Sequence, residues 1–171
     1  MPDQDRLLHE VADKLAIQDL VVKYAKGRDT TDPGIYKAIF AEDATICAAG
    51  GRILSADLDA ILAKVATDQI RFNPGRKADE VSYALMRHIV TNVDITLSGE
   101  TALSDYYITT LANNEAEKRP EVIAVARNED VYAKRDGRWW IIRSTLNFGW
   151  EHDAMGRVLQ VGPHTPAEYR R

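Results

Sequence analysis

The sequence contains a single cysteine, Cys47, in 171 residues. One thiol excludes an internal disulfide. A reduced, cytoplasmic setting is the matching expectation, with Cys47 a small packing residue in the apolar stretch 45–49. Long hydrophobic runs are missing as well. None approaches the roughly 18 residues that a membrane helix needs, so no membrane partner is expected. Residues 1–10 are acidic and polar, unlike a secretory leader. The chain also lacks excess positive charge. Its formal net charge of -4 leaves no global basic field for nucleic acid.

Other absences narrow the chemistry. The histidines His9, His88, His152 and His164 form no spaced pair with another histidine or cysteine, so no metal is expected. Gly50-Gly51 is followed by Arg52-Ile53-Leu54, not by the Gly-Lys-Ser/Thr of a phosphate loop. No Gly-x-Ser-x-Gly nucleophile elbow is present. Repeats and low-complexity linkers are absent too, which predicts one domain over residues 1–171.

What is present reads first as helix. Leu7, Leu8, Val11, Leu15, Leu20 and Val21 recur at helical spacing, with Ala16, Ile17 and Tyr24 widening the stripe. Asp13, Lys14 and Lys23 take the opposite face, and Gly27 is the expected stop. Asp32 before Pro33 reads as an N-cap opening a short helix, 33–40. A strand is expected at 45–48, a hairpin-like turn at Gly50-Gly51, and a third helix from Ser55 onward. After residue 81 the period becomes that of strands: 81–97, 101–113, 121–135 and 139–150. Asp136-Gly137 is a strong hairpin signal. Helices followed by an antiparallel meander predict an α+β layer fold, three N-terminal helices on one face of a curved, mostly antiparallel sheet. Such a sheet encloses a cone-shaped cavity suited to a small molecule. The tail, 152–171, carries Gly156, Gly162, Pro163 and Pro166 and is not expected to continue the sheet regularly.

Four segments carry a resemblance. They are Ala16-Ile17-Gln18-Asp19-Leu20 with Tyr24 and Asp29 downstream, Phe40-Ala41-Glu42-Asp43-Ala44, His88-Ile89-Val90-Thr91-Asn92, and Tyr132 to Trp139. In this order they resemble the SnoaL-like branch of the nuclear-transport-factor-like superfamily, over roughly residues 5–150. That branch includes scytalone dehydratase, bile acid 7α-dehydratase and hexachlorocyclohexane dehydrochlorinase. An aspartate just past the first helix, paired with a histidine followed by Thr-Asn, resembles the dehydratase and dehydrochlorinase members. Tyr24, five residues before Asp29, resembles the bile acid dehydratase; the dehydrochlorinase has a lysine there.

The resemblance implies a Tyr24/Asp29/His88 site, and elementary chemistry supports it. Eliminating water needs a base and an acid. Histidine suits the first task, because its ordinary pKa is near neutrality. A carboxylate on the other ring nitrogen fixes the tautomer and stabilises the imidazolium. A tyrosine hydroxyl can donate to a leaving oxygen. Each residue also has an ordinary reading: His88 as a satisfied strand residue, Asp29 as a turn or cap, Tyr24 as core. Asn92, two strand steps of two from His88, is a candidate polar orienter. Tyr107, Phe148 and Trp150, with Tyr106, are candidate aromatic walls. Arg143 is left out of the site, because its spacing from Trp139 is one residue short of the dehydrochlorinase pattern and such a shift reverses the strand face.

The expected function is that of a cofactor-independent lyase acting on a small hydrophobic substrate of aromatic, steroid-like or polyketide-like character. An isomerase or polyketide cyclase can use the same dyad. A non-catalytic partner of a ring-hydroxylating dioxygenase, or a ligand-binding module, uses the same cone without it. The resemblance also implies a homo-oligomer, trimer or dimer, in which the tail covers the pocket or a neighbouring subunit.

Overall fold

A computed structural model describes residues 2–72, 86–114, 119–152 and 158–161, with side chains described over 4–68, 86–112 and 119–147. Three helices come first: α1 (Pro2–Thr30), α2 (Pro33–Ile39) and α3 (Leu58–Phe72). Between α2 and α3 lie β1 (Phe40–Ala48) and β2 (Ile53–Ser55), joined through a 3-10 turn at Ala49–Gly51. The remaining strands are β3 (Met86–Ser98), β4 (Thr101–Asn114), β5 (Arg119–Arg135), β6 (Arg138–His152) and β7 (Val158–Val161).

The sheet order is β2-β1-β6-β5-β4-β3, with β7 also on β6. The meander β3 to β6 is antiparallel, as expected, while β1 runs parallel to β6 and makes the sheet mixed. Asp136 and Gly137 both adopt positive φ (52° and 76°), the conformation a two-residue hairpin turn requires. The tail expectation needs one correction. Val158–Val161 adds a short antiparallel strand against Trp150, Glu151 and His152, although its register shifts between Glu151 and His152.

The inner face is set by strand parity. Ala102, Ser104, Tyr106, Ile108 and Thr110 of β4 are buried, as are Ala124, Ala126, Asn128, Asp130 and Tyr132 of β5. Ile17, Leu20, Val21 and Tyr24 of α1, with Ile61 and Val65 of α3, complete the same core.

Helix α1 departs from its sequence reading twice. Its first half turns Leu7, Leu8, Val11 and Leu15 outward, each about half exposed or more. Of the expected polar face, Lys14 and Lys23 stay about half exposed but Asp13 turns in, where Trp139 is 3% exposed and its indole N–H needs an acceptor. Asp13 Oδ1 supplies it at 2.8 Å and accepts from Lys134 Nζ at 2.7 Å. The second departure is at Gly27, which does not stop the helix. It is buried, and a Cβ there would lie 3.0 Å from the Tyr36 ring, so the glycine serves the close approach of α2. The helix runs one more turn and ends at Thr30, with Thr31 at positive φ (49°). Asp32 then caps α2, accepting from the Gly34 N–H at 2.7 Å. The extra turn of α1 carries Arg28 and Asp29.

Candidate active site

Asp29 is a residue of the last turn of α1, held by a continuous helix and not by a loop. His88 enters near the start of β3, an end strand of the described sheet. One carboxylate oxygen joins them. Asp29 Oδ1 accepts the His88 backbone N–H at 2.8 Å and lies 2.8 Å from His88 Nδ1. The His88 side chain is 1% exposed and that of Asp29 23%.

The opposite ring nitrogen is occupied too. Arg28 Nε donates to His88 Nε2 at 3.1 Å. A guanidinium only donates, so Nε2 carries the lone pair and Nδ1 carries the proton shared with Asp29. Two neighbours thus fix a single tautomer of a neutral ring. Burial is the main reason that His88 has its pKa lowered to about 4. The hydrogen bond to Asp29 opposes that shift, and the charge of Arg28 adds to it. Arg28 also donates to Tyr24 Oη through Nη1, at a long 3.4 Å. Its guanidinium is half-buried, with Cζ 5.8 Å from the centre of the Tyr24 ring.

Tyr24 is 1% exposed. Its ring stands edge-on to Phe40 at 5.6 Å and to Tyr36 at 6.2 Å, while Tyr36 stacks on Phe40. This packing fixes the ring and directs the hydroxyl toward Arg28. Tyr24, Asp29 and His88 are therefore brought together, with Arg28 as the connecting residue. Sequence reasoning missed Arg28. The signal was its place four residues after Tyr24, hidden by ending the helix at Gly27.

The other candidates fall elsewhere. Asn92 is exposed and sits at a bulge with positive φ (55°), where the β3–β4 register shifts between Thr91 and Asp94. The bulge breaks the period-two alternation from His88, so Asn92 is not an inner-face orienter. Tyr107 is 44% exposed on the outer face, and its neighbour Tyr106 is the inward residue. The backbones of Phe148 and Trp150 belong to β6, but their side chains lie outside the described residues. Arg143 points outward, as expected. Tyr132 pairs with Ile141 and Val131 with Arg143, so Ile142 is an extra residue and reverses the parity. Arg143 lines an outer-face pocket of about 520 Å³ with Thr45, Cys47, Glu129, Thr145 and Asn147, away from His88. Among the described residues, no three His, Cys, Asp or Glu side chains converge as a metal site would need.

Deeper in the cone lies a second polar group, also unforeseen. Tyr106 Oη donates to Asp130 Oδ2 at 2.6 Å, and Tyr132 Oη to the same oxygen at 3.3 Å. Burial raises the Asp130 pKa to about 6, against partial relief from Ser144, Tyr106 and Tyr132. By geometry the Ser144 hydroxyl has no hydrogen-bond partner among the described residues, so its effect on Asp130 is that of a nearby dipole.

Comparison with known proteins agrees with this architecture. A hexachlorocyclohexane dehydrochlorinase (LinA-type3) from Novosphingobium barchaimii LL02 is 20% identical, with a TM-score of 0.66, over 84% of this chain and 91% of that one. A putative scytalone dehydratase from Novosphingobium aromaticivorans is 20% identical, with a TM-score of 0.63, over 86% and 88%. An NTF2-like protein with a cystatin-like fold, from the same species, is 14% identical with a TM-score of 0.69, over 85% and 88%. At these identities the likeness shows the fold. No curated protein matches the chain. The SnoaL-like domain family matches residues 9–145, which is most of the sequence, and the chain belongs to that family.

Proposed function

We propose that this SnoaL-like chain is a cofactor-independent lyase that eliminates water, or another small leaving group, from a small hydrophobic substrate. The observation that carries the reading is the His88–Asp29 pair: a neutral, buried imidazole whose Nδ1 lies 2.8 Å from a carboxylate and whose Nε2 keeps its lone pair. That is the state a general base must start from.

In the proposed reaction, substrate displaces Arg28 from His88 Nε2. His88 Nε2 takes a proton from carbon, the C–H electrons form the new double bond, and the C–O bond breaks. Asp29 stabilises the imidazolium. The ring then returns its proton to the departing oxygen, so water leaves and His88 is neutral again. Arg28 and the Tyr24 hydroxyl hydrogen-bond the oxygen on which negative charge develops. The dehydrochlorinase and putative dehydratase folds support the elimination class.

The test is turnover of small hydrophobic β-hydroxy ketones, followed by product mass. Loss of water by the wild type, with a fall of about 10² or more in His88→Ala and Asp29→Asn, is the expected result. Circular dichroism would check that both variants fold. Turnover in both variants equal to that of the wild type would sink the proposal. Conserved mass would favour the isomerase or cyclase reading of the same dyad.

A further inference from the structure

The inner face of the sheet holds three buried polar atoms without a hydrogen-bond partner by geometry among the described residues: Asp130 Oδ1, Asn128 Oδ1 and Ser144 Oγ, the last close enough to Asp130 to lower its pKa. Their residues are 1%, 0% and 0% exposed. They are neighbours by construction. Asp130 and Ser144 pair directly across β5 and β6, and Asn128 lies two residues along the same face of β5. Buried polar groups are nearly always paired, so three together on one face are unusual.

The surrounding bonds fix what the three atoms offer. Both tyrosine bonds to Asp130 fall on Oδ2, which leaves Oδ1 as an acceptor. Tyr106 donates its proton to Asp130, so its oxygen accepts from Asn128 Nδ2 at 3.4 Å. That orients the Asn128 amide and leaves its Oδ1 as a second acceptor. Ser104 Oγ, 2.8 Å from Tyr132 Oη, holds the second tyrosine in place. The face thus presents two acceptors and one hydroxyl. Its complement is a group that donates a hydrogen bond and can accept one from Ser144. Tyr24 links this end to the first site: it bonds Arg28 and lies close enough to Tyr106 and Tyr132 to affect their ionisation.

We propose that Asp130, Asn128 and Ser144 form a second binding subsite in the cone, which takes a ligand hydroxyl. That this hydroxyl belongs to the substrate of the elimination, as a group separate from the leaving group, rests on the function proposed above. The hydroxyl binding itself does not.

Phenol and toluene are the probes, close in shape and differing in the hydroxyl. Titration calorimetry on the full chain should show phenol binding about tenfold or more tighter than toluene, because a site built for a hydroxyl discriminates against an analogue without one. Phenol affinity should rise from pH 5 to pH 7 as Asp130 ionises, and this rise should vanish in Asp130→Asn. Ser144→Ala, a milder change, should weaken phenol several-fold and leave toluene unchanged; it carries the test if Asp130→Asn does not fold. Equal binding of phenol and toluene by the wild type would mean that the three atoms hold water only, and would overturn the subsite. So would a phenol preference that survives both variants. Neither probe can undergo the elimination, so their binding is read without any turnover. The subsite can therefore fail while the lyase reading stands, or the reverse.

Discussion

Arg28 Nε lies 3.1 Å from His88 Nε2 and donates a hydrogen bond to the nitrogen proposed as the base. Burial keeps the ring neutral, the charge of Arg28 adds to that effect, and the same arginine covers the lone pair. In the proposed reaction it is a latch that substrate has to release.

Removing the latch has a signed consequence. In Arg28→Met the positive charge beside the imidazole is gone, so the His88 pKa should move up from about 4. Turnover should nevertheless fall about 10²-fold, because in the proposed reaction the same guanidinium stabilises the leaving oxygen. Histidine ring signals in an NMR titration give the first result and steady-state kinetics the second. A downward pKa shift would remove Arg28 from the electrostatics of the site.

His88 and Asp130 should pull stability in opposite directions with pH. The His88 pKa falls from 6.5 to about 4 on folding, so between those values the unfolded chain binds more protons and stability rises with pH. The Asp130 pKa rises from 3.8 to about 6, so there the native state binds more protons and stability falls with rising pH. Each contribution is roughly 3 kcal/mol. In the wild type the two largely offset one another. Relative to it, His88→Gln should lose stability from pH 4 to pH 6, and Asp130→Asn should gain it over the same interval. Urea midpoints at fixed pH steps measure both slopes; slopes of equal sign would refute the assignment.

Gly27→Ala tests why a glycine lies inside α1. Alanine favours a helix by about 1 kcal/mol. Here its Cβ would meet the Tyr36 ring at 3.0 Å, and that ring cannot retreat easily from its stack on Phe40. Overpacking of this kind costs about 1–3 kcal/mol. The expected net effect is destabilisation by about 1 kcal/mol in urea unfolding, where an exposed glycine would show a gain.

Asp13→Ala should cost about 1–3 kcal/mol, since it leaves the buried indole N–H of Trp139 without its acceptor. Asp13→Asn keeps an acceptor and should recover much of that loss. Thermal unfolding of the pair separates the hydrogen bond from the charge of Lys134.

Most of the fold was legible because it rests on local signals. Asp32-Pro33 capped α2, Asp136-Gly137 turned β5 into β6, and the change of period marked the start of the meander. The dyad was legible through the spacing of Asp29 and His88 within a resembling pattern. The failures were tertiary. Gly27 read as a stop, yet its lack of a side chain serves the packing of α2, and that error hid Arg28. Leu7, Leu8, Val11 and Leu15 looked like a core stripe, but the acceptor required by Trp139 turned Asp13 inward instead. Asn92 was misplaced by a bulge that no pattern announced, and Tyr107 by the parity of β4. Asp130 drew no reading from the sequence, because nothing in the alternation of β5 says that its inner face holds a carboxylate.

The carboxylate of Asp29 has a role that needs no substrate. Strand β3 is an end of the described sheet, and an end strand presents unpaired N–H groups to any passing chain. Asp29 Oδ1 occupies the N–H of His88, while α1 packs against the same strand. The residue that orients the ring therefore also guards the sheet against intermolecular strand addition. Asp29→Ala should aggregate faster on mild heating than His88→Ala, even where their unfolding midpoints agree.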